Sequence, residues 1–291
     1  MKDKIFFNHV RDLCLASMTY EVMAGPKSGL VDRLNNGAHK DMDLFTFIDS
    51  IISLKDYFYE ISKLGYQFNN DNYTVLMEDI RPLGIQAEKT MFQATQGVNT
   101  HKGLIFLMGI IAAASGNLYR KTNRIEINPR DLSNLVSQMT RGITRELKTN
   151  IDTEKITYGE RIYKEHKILG IRGEVEKGLP TVMNISYPLF KRLMDNTSYG
   201  LNTALIHTLI SLMAVVDDIN ILGRHGMPML DYVRARSSQA IKYGGFLRPK
   251  GRKYVKYMDK DFIDKNISPG GSADLLAVTL LIYFLEKGSK V

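Results

Sequence analysis

The chain has 291 residues, of which 44% are hydrophobic, enough for one domain with a full core. Lys and Arg outnumber Asp and Glu by 39 to 31, and the net charge of +8 favours an anionic partner: a nucleotide, a nucleic acid or a membrane surface. The single cysteine, Cys14, excludes an internal disulfide and is predicted to be a core residue in a reducing cytoplasm. We expect no export signal and no apolar stretch of the roughly 20 residues that a membrane span needs.

Hydrophobic residues recur at helical spacing almost throughout, and few stretches alternate as a half-buried strand would. Polar, glycine-containing loops are predicted over residues 26–41 and 170–180, and Pro82 should kink or break the helix that contains it. No repeat or linker divides the chain, so we predict a single compact all-α domain over residues 1–291. The predicted helices cover residues 4–23, 43–63, 73–93, 100–117, 131–147, 153–166, 185–194, 201–216, 232–243, 262–266 and 273–286.

Residues 21–43 form the richest polar segment, with a turn that presents Lys27 and then Asp32, His39 and Asp41 among glycines. Loops that place carboxylates, histidine and glycine on a helical frame commonly carry function, and such oxygen ligands suit Mg²⁺ bridging phosphates. Helix capping is the alternative reading of these acids, and for Asp43 it is the one we predict.

Residues 97–103 join two glycines to a polar turn that precedes a strongly apolar helix. Asn99 or Thr100 can cap this helix and turn its first N–H groups outward, where they would favour an anion. Lys102 adds a positive charge and His101 a hydrogen-bond donor. Phosphate contact is therefore predicted, with an ordinary capped turn as the alternative.

Asp217 and Asp218 are predicted to close the apolar helix over residues 201–216. Acids at a helix C-terminus oppose the helix dipole, and metal binding would explain that placement. Arg224 follows and suits bidentate contact with a phosphate, whereas a solvated loop is an equal alternative for Asp217.

Residues 268–274 are predicted to open a helix with Ser268 as its cap and Pro269 at its first position. Two following glycines permit close approach of a ligand, and Asp274 lies in the same first turn. Residues 234–260 interleave basic and aromatic side chains, which predicts a solvated face, with nucleic-acid binding as the alternative.

Five of these stretches together resemble the triphosphoribosyl-dephospho-CoA synthase family, which serves citrate lyase and has a related branch serving malonate decarboxylase. One segment departs from the family's pattern. Asp218 and Asn220 match its Asp-Thr-Asn segment and Arg224 its later arginine, but Ile219 replaces the threonine and Gly223 a histidine. The matching stretches are residues 26–32, 36–43, 97–103, 170–174 and 268–276.

The resemblance implies an all-helical enzyme that converts ATP and 3′-dephospho-CoA into 2′-(5″-triphosphoribosyl)-3′-dephospho-CoA and adenine. This product is the precursor of a lyase prosthetic group, which a separate transferase would attach to the acyl carrier protein. Mg²⁺ is the expected companion of ATP, and neither a nucleic acid nor a membrane is an expected partner. The citrate lyase or malonate decarboxylase client and the oligomeric state stay open.

Glycosyl transfer of this kind requires a base for the attacking hydroxyl, a donor for the leaving adenine and cations for the triphosphate. We assign Asp32 or Asp41 as the base and His39 as the donor or orienting group. The metal candidates are Glu21, Asp32 and Asp218. The predicted substrate-binding residues are Lys27, Asn36, Asn99, Thr100, His101, Lys102, Arg172, Asn220, Arg224, Ser268, Gly270, Gly271, Ser272 and Asp274.

Two other readings compete with this one. A helical Mg²⁺-dependent nucleotide hydrolase or prenyl-type transferase would release phosphate or pyrophosphate instead of adenine. A basic helical nucleic-acid-binding protein would show no turnover and an affinity that falls steeply with salt. The acids of residues 21–43 argue against the nucleic-acid reading because they would repel a phosphate backbone.

Overall fold

The computed structural model describes residues 2–149, 156 and 158–290, and within these it contains fifteen α-helices, a few short 3₁₀ or π turns and no strand. The predicted all-α class is confirmed. The helices are α1 (Lys2–Met23), α2 (Leu44–Ser53), α3 (Lys55–Gln67), α4 (Tyr73–Ala94), α5 (Lys102–Thr122), α6 (Pro129–Met139), α7 (Glu146–Thr149), α8 (Tyr158–His166), α9 (Gly170–Glu176), α10 (Tyr187–Asp195), α11 (Leu201–Met213), α12 (Ile219–His225), α13 (Met227–Lys242), α14 (Pro249–Asp264) and α15 (Gly270–Lys287).

Helix α5 lies at the centre of the core and packs against α3 with the two backbones in contact. A Cβ atom on Gly65 would fall 1.9 Å from the Ala113 carbonyl oxygen, and one on Gly116 would fall 1.9 Å from the Ser62 carbonyl oxygen. Only glycine fits at either position, because any side chain would push the helices apart. This close packing fixes the axis of α5 and therefore the position of its N-terminus.

By length and composition, α5 could cross a membrane, which corrects the expectation that every apolar stretch is too short. Its apolar window is, however, 78% buried inside the protein. A helix whose apolar surface is already covered by neighbouring helices has little left to present to lipid. We therefore interpret α5 as the core helix of the fold.

The helix predicted over residues 43–63 is two helices that meet at Leu54. Asp43 caps the first of them as predicted, because its carboxylate accepts the Thr46 N–H at 2.9 Å. Helix α4 runs through Pro82 without the predicted break. The residue is exposed, so the Glu78 carbonyl that loses its partner to the proline ring can bond to water.

Other predicted bounds also differ from the structure. Residues 170–176, predicted as loop, form α9, and α14 spans basic residues for which only a short C-terminal helix was predicted. The helix predicted over residues 131–147 ends at Met139, after which Gly142 takes a positive φ of 85°. Helix α8 confirms the C-terminal part of the prediction for residues 153–166, whose first residues lie outside the described ones.

Candidate active site

A cavity of about 840 Å³ opens where several separate parts of the chain converge. Its walls come from the loop after α1, the first turns of α5 and α15, the start of α12, and one face of α4. The predicted site residues that line it are Glu21, Lys27, His39, Asp41, Asn99, Thr100, His101, Lys102, Arg172, Asn220, Arg224, Ser268, Gly270, Gly271 and Asp274. Those that do not line it are Asp32, Asn36, Asp218 and Ser272.

Asp32 is buried in the loop after α1 and organises that loop. Its carboxylate accepts the backbone N–H groups of Lys27, Leu34 and Asn35 at 2.8, 2.6 and 3.1 Å. These bonds engage both carboxylate oxygens, and Asp32 does not line the cavity, so the geometry favours a structural role for Asp32 over the predicted role as base or metal ligand. Its position instead holds Lys27 in place.

Asp218 is buried at the start of α12, and not at the C-terminal end of a helix as predicted. It accepts the Asn220 N–H at 3.1 Å, and from α15 it accepts the Ser272 N–H at 2.8 Å. A carboxylate at two helix N-termini is stabilised by both helix dipoles, so no metal is needed to explain the buried position of Asp218. Asp218 therefore joins α12 to α15, and Gly271 permits the approach because its Cβ would lie 3.2 Å from the carboxylate.

Glu21 and Lys27 form a buried ion pair on the cavity wall, with 2.5 Å between Lys27 Nζ and Glu21 Oε1. Each is at most 3% exposed. Burial raises the pKa of Glu21, and the Lys27 ammonium works against that rise. The pair is therefore a fixed part of the wall in which each charge depends on the other.

Asp274 lies at the start of the second turn of α15, and its side chain makes no hydrogen bond or ion pair within the described part of the chain. Burial raises its pKa well above the usual value, and the carboxylates of Glu21 and Asp218 act in the same direction. The N-terminus of α5 approaches it closely, since a Cβ on Gly103 would fall 2.1 Å from Asp274 Oδ2. A carboxyl group with a raised pKa and free oxygens in a cavity can exchange a proton with a ligand.

His39 and Asp41 lie at the mouth of the cavity. The His39 Nε2 atom is 2.8 Å from the Ser268 hydroxyl, and its Nδ1 atom is 3.7 Å from the Asp41 carboxylate, which is 65% exposed. Burial and the nearby Arg224 lower the pKa of His39, which favours the neutral ring. Ser268 therefore bonds to His39, and the prediction that it caps α15 is wrong.

His101 is buried in the cavity wall, and its Nδ1 atom is 2.7 Å from the Ser50 hydroxyl. The Thr100 hydroxyl donates to Ser50 at 2.7 Å and does not cap α5, while the Asn99 side chain accepts the Lys102 N–H at 3.3 Å. Since burial lowers the pKa of His101 to about 3, the ring is neutral. Because the Ser50 hydroxyl accepts the Thr100 hydrogen bond, we assign its own hydrogen to Nδ1 and the ring proton to Nε2.

The cavity carries cations at several points of its rim. Arg224 is exposed and makes no ion pair among the described residues. Lys102 pairs with Glu88 at 3.0 Å, and Arg172 lies 3.9 Å from the Glu160 carboxylate. Loosely held cations of this kind are available to an anionic ligand such as a polyphosphate.

The described residues contain no group of three or more His, Cys, Asp or Glu side chains that could hold a metal ion by themselves. Glu21, Asp32 and Asp218 are thus not assembled into the predicted ligand set. Mg²⁺ on a triphosphate needs only one or two protein carboxylates, because phosphates and waters supply the other ligands. Glu21 and Asp41 line the cavity and fit that smaller requirement.

One wall of the cavity was missed by the sequence analysis. It is the face of α4, where the lining residues recur at helical spacing. The spacing was visible, but a face that lines a cavity and a face that packs in the core have the same pattern. The lining residues of α4 are Met77, Ile80, Arg81, Gly84, Ile85, Glu88 and Phe92.

The fold and the site define a helical enzyme whose cavity is surrounded by helix N-termini, cations and one carboxyl group with a raised pKa. The model of one family, described as CitG: ATP:dephospho-CoA triphosphoribosyl transferase, matches residues 7–291. The chain belongs to this family and is a ribosyl transferase, as the sequence resemblance predicted.

Relatives with related names cover almost the whole chain. A probable 2-(5″-triphosphoribosyl)-3′-dephosphocoenzyme-A synthase of Vibrio cholerae serotype O1 is 40% identical over 283 residues, which cover 97% of this chain and 90% of the relative. A protein with the same name from Lactiplantibacillus plantarum is 37% identical over 286 residues, which cover 97% of this chain and 97% of the relative. Protein CitXG of Leuconostoc mesenteroides subsp. cremoris is 38% identical over 94% of this chain, which spans 58% of that relative. No solved structure gives a significant match.

Proposed function

We propose that the enzyme transfers the 5-triphosphoribosyl group of ATP to the ribose 2′-hydroxyl of 3′-dephospho-CoA and releases adenine. The family description names ATP and dephospho-CoA, and the relatives' names describe the expected product. The single observation that carries the chemistry is Asp274, an unpaired carboxyl group with a raised pKa inside the cavity. The product would serve an acyl carrier protein through a separate transferase.

Asp274 is the base in this proposal, in place of Asp32 or Asp41. It accepts the proton of the 2′-hydroxyl while the bond from that oxygen to C1 of the ATP ribose forms and the bond from C1 to adenine breaks. Asp274 then returns a proton to the departing adenine, so the reaction is balanced without an outside acid. A carboxylate whose pKa is raised accepts a proton more readily than an ordinary one.

The triphosphate would lie among Arg224, Lys102 and Arg172 and near the start of α15, where Gly270 leaves room beside the Asn220 amide. Its three phosphates stay intact, so their binding serves to fix the ribose for attack. Glu21 and Asp41 would hold Mg²⁺, which supplies charge neutralisation on the triphosphate. The His101 Nε2 N–H is buried without a partner in the described chain and suits a substrate oxygen or nitrogen.

The reaction is tested with purified protein, ATP, Mg²⁺ and 3′-dephospho-CoA by chromatography of the nucleotides and bases. We expect adenine to appear in a 1:1 ratio with the new dephospho-CoA derivative, and only when both substrates are present. Formation of ADP, AMP or phosphate without adenine would contradict the proposal and favour a nucleotide hydrolase. Replacing dephospho-CoA by CoA in the same assay measures the preference for the free 3′-hydroxyl.

Replacing Gly103 with Ala should displace the base. The residue is helical without a positive φ, so alanine suits its backbone, but the added Cβ would overlap Asp274 Oδ2. A shift of the base by about 1 Å is expected to lower kcat about 10²-fold. The matched control is Gly200→Ala, where nothing lies within 4 Å of the added Cβ and the rate should be that of the wild type. Equal rates for Gly103→Ala and the wild type would contradict the role of Asp274.

A further inference from the structure

The face of α4 gives the cavity an arm that the transfer chemistry does not use. Met77, Ile80 and Ile85 line this arm from α4, and Phe106 and Ile110 line it from α5. All five side chains are apolar, whereas the proposed chemistry needs the polar residues of the loop after α1 and of α15. An apolar extension joined to a polar reaction site indicates a ligand with one charged and one weakly polar part.

The arm leads away from the reaction site. Met91, near the C-terminus of α4, lies at the start of α5, with 3.3 Å between its sulfur and the His101 nitrogen. Residues 77 and 92 both line the cavity, and at 1.5 Å per residue they are about 22 Å apart along the α4 axis. The end of the arm at Met77 is therefore remote from Asp274. A compact nucleoside is too short to occupy both regions.

Charged pairs border the arm. Arg81 and Glu146 approach to 2.6 Å, and Lys102 and Glu88 to 3.0 Å, with all four residues lining the cavity. Lys102, and Arg172 at 3.9 Å from Glu146, are the cations that this border shares with the proposed triphosphate site. The Tyr57 hydroxyl donates to the Ile105 carbonyl at 2.9 Å, so this polar group of the arm is satisfied within the protein. The arm thus combines an apolar interior with polar groups at its border.

We propose that this arm binds the pantetheine chain of 3′-dephospho-CoA while the adenosine end of the same substrate presents its 2′-hydroxyl to Asp274. The inference rests on the proposed function. The pantetheine chain is long and carries methyl and methylene groups with two amides, which match an apolar channel with a polar border. ATP has no such extension, so the arm distinguishes the acceptor from the donor.

Gly84 keeps the arm open at its middle. A Cβ on this residue would meet only the Tyr57 hydroxyl, at 3.7 Å, which is an ordinary contact. A larger side chain therefore enters the arm without a clash against the backbone. Leucine also has a higher helix propensity than glycine, so Gly84→Leu should not weaken α4 itself.

The test compares KM values for the two substrates in the adenine-release assay. Gly84→Leu is expected to raise the KM for 3′-dephospho-CoA at least about tenfold while leaving the KM for ATP unchanged. The matched control is Gln86→Leu, two residues further along α4, which is exposed and does not line the cavity. It should leave both KM values unchanged.

Ile85→Ser provides a second variant, which removes apolar surface from the arm and adds no bulk. Because the Ile85 side chain is 52% exposed, its loss should not threaten folding. It should raise the KM for dephospho-CoA alone, by a smaller factor. An increase confined to ATP would place the donor in the arm, and an equal increase for both substrates, or none, would also overturn the inference. Failure of the proposed function is distinguishable, because the wild-type protein would then release no adenine.

Discussion

Asp274→Asn is expected to reduce kcat by about 10²- to 10⁴-fold, the usual contribution of a general base. The amide has the shape of the carboxyl group and leaves α15 intact, but it cannot accept the proton of the 2′-hydroxyl. KM values should change little, since the phosphate contacts and the arm are untouched. Adenine release from the purified variant measures this effect, and a rate within a few-fold of the wild type would remove Asp274 as base.

The pH dependence of the wild type gives an independent check. Asp274 must be deprotonated to act as base, and its pKa is raised. As the pH falls through that raised pKa, kcat/KM should decline, and the decline should begin at a higher pH than an ordinary aspartate would give. The residual activity of Asp274→Asn should lack this acidic limb. If kcat/KM of the variant showed the same decline in acid, the decline would belong to another titrating group.

The same substitution should also stabilise the protein at neutral pH. With a folded-state pKa above the unfolded one, the folded chain binds the proton more tightly, so ionisation of Asp274 opposes folding. This cost is present above the folded-state pKa and vanishes below the unfolded-state pKa. The melting temperature of Asp274→Asn should therefore be higher than that of the wild type at neutral pH, and the two values should converge in acid.

Lys27→Met is expected to destabilise the fold by about 3–5 kcal/mol, because it leaves the Glu21 carboxylate buried without its partner. Urea unfolding measures this loss. Adding Glu21→Gln to Lys27→Met removes the stranded charge and should recover most of the stability. That recovery separates the loss of charge pairing from a general disturbance of the core.

The exposed pair between Lys63 and Glu60 provides the control for this prediction. Lys63→Met removes an ammonium group from a similar short ion pair at the surface, where water already screens both charges. It should leave the unfolding midpoint almost unchanged. A loss for Lys27→Met no larger than that for Lys63→Met would show that burial does not make the pair important.

The helical class and the motifs of the site were predictable because they are local in sequence. Periodic apolar residues indicate helices, and the Asp43 cap follows from a residue type and its spacing. The predicted helix bounds were wrong where tertiary contacts determine the end of a helix. At Leu54, for example, two helices meet without a glycine or proline to mark the boundary. At Pro82 the sequence predicted a break that the structure does not have, because this part of α4 is exposed and water can replace the hydrogen bond that the Glu78 carbonyl loses.

Roles within the site were less predictable because they depend on burial and on contacts between distant segments. Asp32 and Asp274 each follow a glycine by three residues, yet Asp32 has its oxygens occupied by backbone N–H groups and Asp274 does not. Gly103 was interpreted as part of a phosphate loop, but in the structure its lack of a side chain makes room for Asp274. Nothing in the local sequence links those two positions.

The loop after α1 is attached to the other end of the chain. The Gly29 N–H donates to Asp259, 230 residues later, and His39 bonds to Ser268, 229 residues later. During synthesis the N-terminal loop must therefore wait for α14 and α15 before it can take its final form. A partly made chain that lacks α14 and α15 cannot complete the cavity, so the site forms only after nearly the whole chain has been made.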